Sequence, residues 1–181
     1  MKSIFLLSIL MLSSCFLNAQ NHRQFANWLC GDYTIKVGAV SNERTLGSIS
    51  YYNLSNVDSS YYWIVEQSKC NGLTNTRILR ISLLDSGYVG LEVFVFNTMP
   101  KNEIKSLKAI DLSKLKKLPA NQVYFYDRPK RGFSNVTSEP TTMLLDKYQM
   151  NLSCCDLLSS YFFKQFKIEE NATLKFLKNF N

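Results

Sequence analysis

Two arginines and two glutamates lie inside runs that are otherwise suited to a protein core. Arg77 and Arg80 interrupt the stretch TNTRILRISLL at 74–84, Glu66 sits in WIVEQ and Glu92 in GLEVFVF. Alternate side chains of a strand point to opposite faces. The odd positions Leu79, Ile81 and Leu83 make the more apolar face of 75–83, so Arg77 is predicted to point inward and Arg80 outward. An inward guanidinium needs a partner, because an unpaired buried charge is very unfavourable. Glu66 and Glu92 are the natural candidates. A barrel interior holding an arginine, one or two carboxylates and many rings could accept a flat apolar ligand bearing acidic groups. A structural ion pair, or charges that simply face water, is the alternative reading at this point.

Other chemistries find few residues. His22 is the single histidine, close to the start of the mature chain and poorly placed as a catalytic base, and no CxxC pair is present to hold a metal. No resident cofactor or metal is therefore expected. The basic residues are scattered, with small clusters only at 114–117 and 128–131, which does not make a nucleic-acid footprint. The formal net charge of +7 is instead read as a solvated surface, one that could be drawn to anionic envelope components.

The elements that must position these residues are mostly strands. Residues 21–29 place Phe25, Trp28 and Leu29 at helical spacing, and Gly31 is suited to end that helix. Strands are expected at 33–40, 49–54, 61–67 and 74–84, with Asp85-Ser86-Gly87 turning the chain into a hairpin with 88–97. Leucine and isoleucine recur near a 3.6 period over 104–118, which predicts an inserted helix that Asp111 or Ser113 could cap and Pro119 would stop. Strands resume at 122–126, Phe133, 141–145, 148–152 and 173–177, while 157–166 reads as strand or helix. The fold class is all-β, rich in strands with short helices: an antiparallel barrel or sandwich with a short N-terminal helix and one inserted helical segment.

The first residues have the layout of a secretory signal: Lys2, the apolar run Ile4 to Leu12, and the small-residue site Asn18-Ala19-Gln20. The run is too short for a stable membrane span. The organisation is thus a signal peptide at 1–19 and a single domain at 20–181, secreted or periplasmic. Leu12-Ser13-Ser14-Cys15 also resembles a lipoprotein box, which would lipidate Cys15. Cleavage leaves Cys30, Cys70, Cys154 and Cys155, an even number that permits disulfides in three pairings or four buried thiols. The adjacent Cys154 and Cys155 are poorly placed to bridge each other.

Several of these segments, taken in order, carry a resemblance. Phe25-Ala-Asn-Trp28-Leu-Cys-Gly31-Asp-Tyr33, then Val65-Glu66-Gln67, then Arg77-Ile-Leu-Arg80-Ile81, then Leu115-Lys-Lys-Leu118-Pro119 and Phe133 resemble the CpcT/CpeT-type phycobiliprotein chromophore lyases over about 25 to 150. The resemblance implies a calycin-like barrel, open to homodimer formation, whose calyx receives a linear tetrapyrrole (bilin) and promotes its thioether attachment to a phycobiliprotein cysteine. It implies lyase chemistry at Glu66, which would polarise or protonate the bilin, with Gln67 beside it and Arg77 or Arg80 meeting a bilin propionate. Glu92 joins the ligand-binding set from the strand reading alone. The chain departs from the family pattern at Leu73 to Thr76, at Ala120-Asn121, at Asn135 and at Met143. Export would also separate such an enzyme from phycobiliproteins. The second expectation is accordingly a non-catalytic, lipocalin-like binder of a small hydrophobic or tetrapyrrole-like ligand in the periplasm or envelope.

Overall fold

The computed structural model describes residues 21–38, 43–54, 61–70, 72–84, 87–98, 100, 104, 110–128, 130–135, 143–152 and 173–179. A helix, α1, spans 21–29 as expected. Ten strands follow: β1 (Gly31–Val37), β2 (Arg44–Asn53), β3 (Tyr61–Cys70), β4 (Leu73–Leu83), β5 (Val89–Phe96), β6 (Leu115–Asp127), β7 (Gly132–Asn135), β8 (Met143–Leu145), β9 (Gln149–Leu152) and β10 (Leu174–Lys178). Each pairs antiparallel with its sequence neighbour, and β10 returns to β1 to close the barrel.

Closure is set by a register that runs Tyr33 against Lys178 through Val37 against Leu174. A closed barrel has no free sheet edge, and its inward positions alternate with outward ones along every strand. The lumen is lined by this inward set, including Tyr33, Tyr51, Ile64, Leu79, Tyr124, Phe133 and Phe176, all buried in one continuous core. These β-branched and aromatic runs fold as strands because such side chains pack on a pleated, half-buried surface.

One end of the barrel is covered by α1. Phe25, Ala26 and Leu29 share the buried face of the helix, and Phe25 meets Tyr124 at 4.9 Å and Phe133 at 5.2 Å between ring centroids. Trp28 adds edge contacts to Tyr126 and Phe133. The Tyr33 hydroxyl is shared between the carbonyls of Trp28 (2.8 Å) and Leu29 (2.9 Å), satisfying two acceptors that a helix end leaves over. Lys178 Nζ donates to the Trp28 carbonyl at 3.1 Å. Gly31 makes the sharp passage into β1 at φ +144°, where a side chain would be strained and would also strike Lys178.

The inserted helix takes a different form. Among the described residues it is a single 3-10 turn, Leu112–Lys114, capped by Asp111, which accepts from the Ser113 amide at 3.1 Å. Leu115 to Leu118, expected to finish the helix, instead begin β6. The open edge of β5 explains the difference, since Phe96, Val95 and Phe94 pair with Leu115, Lys116 and Lys117. Between Lys117 and Asn121 the chain spends three residues where β5 spends one, and Pro119 lies in that bulge, where its missing N–H is tolerated. The segment 157–166 lies outside the described residues, as do 1–20.

Candidate functional site

The four charged residues form two ion pairs on opposite faces of the same sheet. In register, Glu66 stands opposite Arg77 and Arg80 opposite Glu92. An antiparallel pair puts directly opposed side chains on one face, and a shift of three residues along β4 moves to the other face. Arg77 therefore enters the lumen with Leu79 and Ile81, and Arg80 leaves it.

Inside, Arg77 and Glu66 make a two-pronged pair. Nε donates to Oε1 and Nη2 to Oε2, both at 2.6 Å, with the side chains 1 % and 0 % exposed. This fork geometry is the strongest arrangement open to a guanidinium and a carboxylate. Tyr51 is the next inward residue across from Glu66. Burial first, and then the Glu66 charge, push its phenol well above the usual range, so Tyr51 keeps its proton at any ordinary pH. Tyr33 meets Tyr51 edge-on at 5.8 Å, linking the charged group to the aromatic lumen. The assembly is a guanidinium, a carboxylate and a protonated phenol within an apolar barrel. It can orient an acidic group or hold the strands in register.

Outside, Arg80 donates to Glu92, whose other oxygen accepts from Lys117. Burial works against the Glu92 charge, yet the bonds from Arg80 and Lys117 outweigh it and hold the carboxyl below its usual range. Gln67 lies on the same outer face of β3, half-buried and in register with Ser50 and Thr76. Of the expected set, the lumen thus brings together only Glu66 and Arg77, while Gln67, Arg80 and Glu92 stand on the barrel wall. Glu92 was an expected partner of Arg77, and strand parity assigns it to Arg80 instead. Tyr51 was not singled out in the sequence, although it shares parity with buried Ile49; Lys117 was hidden in a run read as a helix.

Cys30 and Cys70 are free thiols. Cys30 precedes Gly31, which stands beside Tyr51 of β2, and Cys70 ends β3 beside Gly47, so their backbones are two strand spacings, about 10 Å, apart across the sheet and further apart along it. A disulfide spans less than that, which removes the Cys30–Cys70 pairing. Cys154 and Cys155 lie outside the described residues. Burial pushes both thiols up to about 11, with Lys178 partly opposing this at Cys30 and Glu66 reinforcing it at Cys70. The folded state therefore holds these protons more tightly than the unfolded chain, and stability is complete below pH 9.0 and declines as the pH rises toward 11. Iodoacetamide at pH 8 is expected to label neither thiol appreciably until urea is added. Rapid native labelling of either would contradict the buried, protonated assignment.

Among the described residues no group of three or more His, Cys, Asp or Glu side chains converges as a metal site, and no helix is long and apolar enough to cross a membrane. No family model, no curated protein and no solved structure matches this chain.

Proposed function

We propose that this protein is a non-catalytic, lipocalin-like binder of a small hydrophobic ligand that carries a carboxylate, with linear tetrapyrroles as the leading class. The observation that carries the reading is a guanidinium set inside an aromatic lumen, at Arg77, with a carboxylate and a phenol as its neighbours. A barrel closed at one end and lined by rings suits an apolar body, and few polar groups are needed to orient it. The acid group of the ligand takes an N–H edge of Arg77, and the Tyr51 hydroxyl donates to the Glu66 oxygen released by that exchange.

Binding without catalysis is favoured by the state of Glu66. Both of its oxygens accept hydrogen bonds from Arg77, so the carboxyl is fully engaged by the guanidinium and presents no open edge to a pyrrole. The thioether chemistry implied by the chromophore-lyase resemblance would require this carboxyl to leave the guanidinium.

Titration with biliverdin and with haem, read by visible absorbance, tests the proposal. A saturable shift is expected, with the pigment fully released by denaturation. Arg77→Lys keeps the charge and loses the fork, and is expected to weaken binding about tenfold. The absence of a shift with either pigment would sink the tetrapyrrole reading. Pigment that remains on the denatured chain would restore the lyase one.

A further inference from the structure

The outer face of β3 to β5 carries a charged assembly that neither the lumen nor barrel closure uses. The Arg80 guanidinium lies 4.9 Å from the Tyr61 ring centroid, 5.6 Å from Trp63 and 5.7 Å from Phe94. Such contacts hold a cation by the ring faces and leave its in-plane N–H groups directed away from them. Among the described residues Arg80 is engaged through Nε alone, with Glu92. Glu92 also holds Lys117, so two cations share one carboxylate, and no other acid occupies this face of β3–β5 among the described residues. The side chains of Arg80 and Lys117 are 30 % and 42 % exposed, within reach of a solute. Beside them Trp63, Val65 and Ile78 are buried together with Leu54 and Ile104, and Tyr61 and Phe94 pack half-buried against that cluster.

Among the described residues, a surplus positive charge, a guanidinium whose two terminal amino groups are uncommitted and flanking rings match one chemistry. We propose that this wall is a second binding site, for a small aromatic carboxylate. The terminal amino groups of Arg80 take the acid group as a fork, Lys117 adds the second charge, and the aromatic body of the ligand lies along Tyr61 and Phe94. Arg80 and Arg77 point to opposite faces, so this site stands or falls independently of the lumen.

The test uses Trp63 as a reporter. Trp28→Phe removes the other tryptophan of the chain. In that background 4-nitrobenzoate, a nitroaromatic quencher, is expected to quench Trp63 along a saturating curve. Arg80→Gln is expected to weaken the apparent affinity about tenfold and Lys117→Gln about threefold. Arg77→Lys should leave it unchanged, and 4-nitrobenzyl alcohol, which has the ring without the acid, should quench without saturating. Linear quenching by the carboxylate, or saturation shared equally by the alcohol, would overturn the site. If Arg80→Gln lost the native circular dichroism, Lys117→Gln would decide alone: affinity equal to that of its parent would overturn the proposal.

Discussion

Arg77→Ala is expected to lower the stability of the barrel by about 3–5 kcal/mol, seen as an early urea midpoint with a largely unchanged slope. The change leaves the Glu66 carboxylate, 0 % exposed, with neither of its two 2.6 Å donors. A buried charge stripped of its partner is among the few single-residue lesions of this size. The double replacement Glu66→Leu with Arg77→Leu removes both charges and should recover most of the loss, because apolar substitutes for a buried pair are often neutral or stabilising by about 1–4 kcal/mol. The two results together separate stability from use. A double variant as stable as the parent, but unable to bind pigment, would mean that the pair is kept for recognition. If Arg77→Ala unfolds at the parent's midpoint, the pair is not buried in solution as described.

Phe25→Ala should be nearly as damaging, by about 3–5 kcal/mol, although it lies in the short helix and not in the sheet. Phe25 is fully buried and bridges α1 to Tyr124 and Phe133 on the barrel wall. Its removal opens a void at the covered end that the stiff strands cannot fill. Phe25→Leu preserves more of the volume and should cost less than about 1.5 kcal/mol. Because Trp28 packs on Phe133 in the same layer, its fluorescence should shift to the red in the alanine variant. A loss below about 1 kcal/mol, with unshifted emission, would show that α1 rests on the barrel without sealing it.

The course of the chain was legible where one periodicity dominates. In β4 the alternation of Arg77, Leu79 and Ile81 against Ile78 and Arg80 is uninterrupted, so the direction of both arginines followed from parity alone. Residues 21–29 offered an equally clear helical face. The departure from a helix at 112–118 has a physical origin. Leu112, Leu115 and Leu118 fit a helical period, but Leu115 and its neighbours complete the free edge of β5, and pairing of that edge outweighs local spacing. Partner choice was also hidden. Glu92 looked as suitable for Arg77 as Glu66 did until the register placed it opposite Arg80. One-residue differences in register decide which face a charge occupies, and composition does not encode them.

Joining β1 to β10 also constrains how the molecule assembles. Thr34 and Asn179, 145 positions apart, are hydrogen-bonded neighbours across that seam. Contacts of such long sequence separation close late and raise the contact order, so folding should be slow compared with a helical protein of this size. Until β10 has emerged and docked, β1 and β9 each present a bare row of amides and carbonyls, and the unfinished chain is at its most prone to self-association. A version cut short before Leu174 should therefore aggregate even though all the residues of the lumen pair are present.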